Sequence, residues 1–407
     1  MKIAFWLNNS GIKNVDCSRI TEGNPGIGGT EFSAILIAES LHLVGEETIL
    51  LCNESGNFSK KQQFHVCYDI AEACRFVEKN NYDFFILDSR DITERILITF
   101  PNIKFIAWAN CFIESWMNEV FPKYSNLVKF VNVGRQQYKL CANMPIASKA
   151  TYIYNAVPFT ILSEIRPKTF SQRGFNVVYI GSLHYAKGFH LLARAWPKIL
   201  EKVPEAKLYV IGSGKLYSRN SKLGKWGIAQ ESYEDEFMKY LAPNGKLMPS
   251  VRFLGVLGKE KYKVLSECRV GVPNPSGISE TFGYTAVEMQ VMGCRVTTIE
   301  CPAYVDTVYN KKNLYSNPDD IASYVARLLL DEKLDDNVNI QNFIKQFSVD
   351  KIVSEWKSLL IGVLKDSTVR LILEKRSFMG YVYYFEDIAK YYKHKLKKII
   401  VKILRIE

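Results

Sequence analysis

Residues 276–288 read SGISETFGYTAVE. Two glutamates, Glu280 and Glu288, stand eight residues apart with Phe282 and Gly283 between them. The segment places Glu280 in a loop and Glu288 about one turn inside a helix that Phe282-Gly283 opens. The first amides of a helix have no intrahelical acceptor and carry the positive end of its dipole. The N–H groups of Phe282 and Gly283 would therefore meet an anion. Val287, Met289 and Val291 surround Glu288, and a carboxylate on so apolar a helix needs a partner, such as ligand hydroxyls. The plain alternative is one surface glutamate and one capping glutamate.

Moving toward the N-terminus, residues 181–188 read GSLHYAKG, between an apolar run at 176–180 and a helical pattern at 189–202 that carries Leu192, Trp196, Ile199 and Leu200 on one face. Lys187 stands just before that helix, where an ammonium would meet a phosphate as a point charge; taken alone it reads as a solvated lysine in a turn. A third glycine segment, GIGGTE at 26–31, lies between the strand-like run 3–7 and a helical pattern at 31–43. Glycines there let the backbone approach a ligand at a helix N-terminus, although the spacing is not G-x-G-x-x-G. Otherwise it is a tight strand-to-helix turn.

These segments belong to a longer alternation. Apolar runs at 3–7, 48–52, 83–87, 104–109, 128–133 and 151–154 are followed, after a break, by runs at 176–180, 207–211, 251–254, 269–272 and 295–299. Several are apolar on both faces, as covered strands of a parallel sheet should be. The pattern predicts an α/β chain of two Rossmann-like, doubly wound domains facing across a cleft, where a ligand would sit beyond the carboxyl ends of the strands. The expected divisions are 1–158, a linker at 159–174, a second domain at 175–349, a helix at 350–364 returning to the first domain, and a tail at 365–407. The polar stretch 215–249 reads as an insertion with a short helix near 233–241.

The 407 residues are 47% hydrophobic and 23% charged, the profile of a globular chain with a full core. Nine cysteines without a C-x-x-C pair read as reduced, mostly buried thiols. No run approaches the roughly 20 apolar residues of a membrane span, and the start is too short for a signal peptide. The net charge is +11, which calls for an anionic partner. Its distribution is uneven, because residues 365–407 hold eleven Lys/Arg against five acids. In a helix Ile388, Tyr392, Leu396, Ile399, Ile400 and Ile403 share one face, with Lys390, Lys393, Lys397, Lys398 and Lys402 on the others. Such a basic amphipathic helix reads as an anchor on an anionic membrane surface. No nucleic-acid-binding motif accompanies the charge, and no nucleic acid is expected as partner.

Glycine loop, then GSLxxxKG, then ETFGYxxxE, in that order across two α/β domains, resembles a retaining GT-B glycosyltransferase of the family-4 type (glycosyl transferases group 1). The resemblance covers roughly residues 1–364. Asn155-Ala156-Val157-Pro158, the strand 251–255 and the loop 273–276 support it. It implies that Glu280 holds hydroxyls of a donor sugar and that the Phe282 and Gly283 amides bind the sugar or the distal phosphate. Glu288 would take the ribose hydroxyls, Lys187 would neutralise the diphosphate, and Gly28 and Gly29 would approach it from the other domain. Gly212-Ser213-Gly214 would line the cleft or be a plain turn.

Two positions depart from the family. Ser182 stands where an Arg is usual, so another cation, or the amides and Lys187, must serve the leaving group. Asn110 stands near the usual place of a His; it can bond a sugar hydroxyl on the acceptor side but cannot act as a base, and it otherwise reads as a strand-end cap. No carboxylate nucleophile is evident in the first domain, which favours front-face attack with retention. Asp88-Ser89-Arg90-Asp91 lacks D-x-D spacing, so no metal and no cofactor are expected. The resemblance thus implies a UDP- or GDP-sugar donor, a glycan or lipid-linked acceptor, and a cytoplasmic enzyme peripheral to the inner membrane face. The alternatives are another GT-B enzyme, a phosphorylase or sugar-nucleotide epimerase, or a non-catalytic scaffold of the same fold.

Overall fold

The computed structural model describes residues 1–216, 222–332 and 337–365. The basic tail, and with it Lys390, Lys393, Lys397, Lys398 and Lys402, lies outside the described residues.

In the N-terminal half the alternation becomes β1 (Lys2–Leu7), α1 (Gly29–Leu43), β2 (Glu47–Cys52), β3 (Gln63–Val66), α2 (Ile70–Lys79), β4 (Phe84–Asp88), β5 (Phe105–Ala109), β6 (Leu127–Asn132), α3 (Arg135–Cys141) and β7 (Ala150–Tyr152). The strands pair in parallel in the order β3-β2-β1-β4-β5-β6-β7. β4 and β5 are buried at every position, because helices cover both faces of a parallel sheet. β3 has no counterpart among the sequence-predicted runs. All four of its residues are exposed at the sheet edge, so no burial alternation marks it.

The second half contains β8 (Asn176–Ile180), α4 (Phe189–Lys202), β9 (Lys207–Ile211), α5 (Glu231–Leu241), β10 (Val251–Gly255), α6 (Lys261–Ser266), β11 (Val270–Gly271), α7 (Tyr284–Val291), β12 (Arg295–Val296) and α8 (Ile321–Leu330). Its sheet order is β10-β9-β8-β11-β12, again parallel. The run expected at 295–299 is divided. Arg295–Val296 extends the main sheet, and Thr298–Ile299 pairs instead with Leu314–Tyr315. The Thr297 and Thr298 hydroxyls donate to the Asn313 and Pro273 carbonyls, both at 2.7 Å, and turn the chain between the two pieces. In the polar insertion, the fully buried Glu234 of α5 accepts the amides of Trp226 (2.6 Å), Ile228 (2.7 Å) and Ala229 (3.0 Å). One carboxylate thereby satisfies the backbone of an otherwise irregular loop.

The last described helix, α9 (Val349–Leu364), starts at a Ser348 cap and lies on the first domain. Trp356 meets Trp108 of β5 edge-on at 5.0 Å, and Lys357 pairs with Glu46 at 2.9 Å.

Candidate active site

Lys187 and Glu280 are brought together by two interlocked loops at the carboxyl end of the second sheet. After β8, the Tyr179 hydroxyl lies 3.2 and 3.1 Å from the Ser182 and Lys187 carbonyl oxygens and braces the loop 181–188 from within. Gly212 has φ +140, and a Cβ there would stand 1.8 Å from the Gly181 oxygen, so the neighbouring turn closes against this loop only with glycine. Ser276 donates to the Ala186 carbonyl at 2.7 Å and ties in the second loop. Lys187 Nζ then donates to Glu280 Oε2 at 2.9 Å, and Asn274 Nδ2 donates to the same oxygen at 2.8 Å. The pair is largely shielded, with side chains 23% and 15% exposed.

Gly283 adopts the left-handed conformation (φ +81) and caps α7. The Phe282 and Gly283 amides have no hydrogen-bond acceptor among the described residues, so the helix N-terminus presents donors beside Glu280. The Phe282 ring is buried against Tyr154, Tyr284 and Phe347. Ser182 is also buried, and its hydroxyl is 3.5 Å from the Ser213 carbonyl.

One turn into α7, Glu288 is nearly enclosed. Lys261 Nζ stands 2.7 Å and the Tyr262 hydroxyl 2.8 Å from its Oε1. Burial, reinforced by the carboxylate, pushes the Tyr262 hydroxyl well above the usual phenol range, so it donates.

The opposite wall comes from the first domain, and direct bonds hold it against the second. Ser33 donates to the Gly29 carbonyl at 2.6 Å, so the Tyr284 hydroxyl, 2.7 Å from the Ser33 oxygen, is the donor in that cross-domain bond. Gly29 gives room to the Tyr284 ring, which a Cβ would meet at 3.1 Å. Gly28 is the N-cap residue of α1. Thr281 donates to the Asn110 carbonyl at 2.7 Å, and Asp306 Oδ2 accepts the Gln136 amide at the start of α3 at 2.8 Å.

Burial pushes the Asp306 carboxyl up to about 6. Asp306 therefore binds its proton more tightly in the folded chain than in the unfolded one. Its contribution to stability is present below about pH 4 and is lost as pH rises through about 6. Asp306→Asn keeps an acceptor for Gln136 and removes this titration. The variant is expected to be more stable than wild type at pH 7, by about 1–3 kcal/mol, with the difference vanishing near pH 4. Thermal unfolding at both pH values checks this; a variant less stable at pH 7 would contradict it.

Between the walls lies a cavity of about 830 Å³. Of the residues singled out by sequence, Gly29, Asn110, Ser182, Lys187, Gly212, Glu280, Phe282, Gly283 and Glu288 line it, and Gly28 does not. Sequence reasoning missed Asn274, Lys261 and the Asp88–Arg90 pair (2.8 Å). Asp91, beside that pair, is raised to about 6 by burial and by Asp88. Among the described residues, the cavity's cations are Arg90, Lys187 and Lys261, and each faces a carboxylate. No group of three or more His, Cys, Asp or Glu is placed to hold a metal among the described residues. All nine cysteines are free, Cys111 and Cys301 being half-buried. No described helix is long and apolar enough to cross a membrane.

Residues 174–331, which contain the Lys187, Glu280 and Glu288 segments, match the family Glycosyl transferases group 1. The chain is 29% identical over 187 residues to an uncharacterized glycosyltransferase of Methanocaldococcus jannaschii; the match spans 44% of this chain and 43% of that protein. In structure it is similar to a glycosyltransferase from Rickettsia africae, with a TM-score of 0.63 at 14% identity over 90% of this chain and 99% of the other. It is also similar to the pneumococcal O-GlcNAc transferase GtfA in complex with UDP and GlcNAc, with a TM-score of 0.54 at 15% identity over 72% and 60%. At such identities the likeness is one of fold, and the fold is that of the GT-B glycosyltransferases.

Proposed function

We propose that the chain is a retaining glycosyltransferase that moves a sugar from a nucleoside diphosphate sugar, UDP- or GDP-linked, to a glycan or lipid-linked acceptor in surface polysaccharide synthesis. The observation that carries this reading is the Lys187–Glu280–Asn274 constellation beside the unpaired amides at the start of α7, facing the first domain across the cavity. Glu280 would accept hydrogen bonds from donor-sugar hydroxyls and fix the anomeric carbon. Lys187 and the Phe282 and Gly283 amides would meet the diphosphate, where negative charge grows as the bond from the anomeric carbon to the phosphate oxygen breaks. The acceptor oxygen would bond to that carbon on the same face, and its proton would pass to the departing phosphate oxygen. With Ser182 in place of the usual arginine, the leaving group depends on Lys187 and the helix amides, and no divalent metal enters the scheme. Asn110, on the first-domain wall, would bond the sugar or the acceptor. The cytoplasmic face of an anionic membrane, contacted by the basic tail, would supply a lipid-linked acceptor.

The test is turnover across a panel of UDP-, GDP- and dTDP-sugars in excess chelator, comparing wild type with Glu280→Gln. Glutamine keeps the shape but accepts hydroxyl bonds more weakly and removes the carboxylate that pairs with Lys187. Turnover by wild type with one of these donors, and a loss of roughly a hundredfold in the variant, are expected. No turnover by wild type with any donor, with or without added metal, would overturn the reading.

A further inference from the structure

Glu288 is held in a way that its segment does not announce. Lys261 and Tyr262, adjacent at the start of α6, both reach Oε1, at 2.7 and 2.8 Å. All three residues are at least nine-tenths buried, at 4, 1 and 4% exposure for Lys261, Tyr262 and Glu288. Oε2 has no partner among the described residues, and both Glu288 and Lys261 line the cavity. A buried ion pair costs more desolvation than it returns unless its remaining hydrogen-bonding capacity is used. Here that capacity is one carboxylate oxygen and the further N–H groups of one ammonium, side by side on one wall. An acceptor next to a donor matches two neighbouring hydroxyls, one donating and the other accepting.

We infer that Lys261 is a specificity-determining residue. With Glu288 it forms a vicinal-diol clamp that selects nucleotides carrying both ribose hydroxyls, Glu288 Oε2 accepting from one and Lys261 donating to the other. Tyr262 fixes the clamp by donating to Oε1 at 2.8 Å. The inference rests on the reading that Glu288 faces the ribose, and it adds the discrimination that Lys261 supplies.

The experiment is calorimetric titration of the full chain with UDP and GDP and with their 2′-deoxy and 3′-deoxy forms. Wild type is expected to bind the ribonucleotide at least roughly tenfold more tightly than one or both deoxy forms, the fold-change of a single charge-assisted hydrogen bond. In Lys261→Met that ratio should fall toward one for one deoxy form, with the affinity of that form itself nearly unchanged. A merely structural loss would weaken all the nucleotides together and leave the ratios intact. Because Lys261→Met strands a buried carboxylate, Lys261→Met/Glu288→Gln is measured in parallel; it keeps the charge balance and should lose discrimination against both deoxy forms. Ratios unchanged from wild type in both variants would overturn the inference while leaving the functional reading in place. Failure of wild type to bind any of the nucleotides would overturn both.

Discussion

Lys187→Ala is expected to lower donor turnover by about two to three orders of magnitude, the cost of removing one preorganised donor from a developing charge. The loss should fall on kcat more than on KM, because the phosphate oxygen gains charge as the bond breaks. The fold should survive. Glu280 keeps the Asn274 bond at 2.8 Å, and the loop 181–188 is braced by Tyr179, Ser276 and the Gly181–Gly212 contact, none of which involves the ammonium. Steady-state kinetics on the donor that wild type turns over, with a melting curve beside them, measure both. A drop of less than tenfold with the fold intact would mean that the leaving group draws its stabilisation from elsewhere in the cavity, Arg90 being the nearest alternative in type.

Trp356→Ala should give the largest loss of stability. The side chain is fully buried, meets Trp108 edge-on at 5.0 Å, and its Nε1 has no hydrogen-bond partner among the described residues. Truncation therefore removes packing alone, with no polar compensation, at about 3–5 kcal/mol. For a chain of this size the melting temperature should fall by about 4–6 °C. The effect should be larger than a cavity inside one domain would produce, because α9 is the element by which the chain returns to the first sheet. Thermal unfolding of wild type and variant, followed by circular dichroism, measures the loss. A loss below about 1 kcal/mol would show that α9 does not depend on this contact.

What the sequence made legible was what is local. Runs such as FFILD (84–88) and FIAWA (105–109) are apolar throughout because covered parallel strands bury both faces. Each glycine segment sits where a strand hands over to a helix, so the place of Lys187, Glu280 and Glu288 at the cavity is legible from their position in the chain. The partners of those residues were not. Asn274 is one polar residue in a loop, and Lys261 lies in Lys259-Glu260-Lys261-Tyr262-Lys263, a charge run that reads as a solvated helix face. Its burial arises from the return of α6 against α7, a contact that no spacing encodes. Asp306 and Tyr284 likewise acquire their roles from the opposite domain, through Gln136 and Ser33. β3 escaped notice because an edge strand exposed at every position has no periodic signature. The divided run at 295–299 depended on two threonine hydroxyls finding carbonyls elsewhere.

In the ion pair between Lys187 and Glu280 the two groups neutralise one another. An incoming donor must take both partners at once, its diphosphate satisfying the ammonium and its sugar hydroxyls the carboxylate. After transfer, the remaining nucleoside diphosphate still engages the cation but offers the carboxylate nothing. Glu280, left without sugar hydroxyls, then competes with the diphosphate for the Lys187 ammonium. Under the proposed reaction the ion pair thus opposes retention of a nucleotide that has lost its sugar, because only the whole donor satisfies both partners.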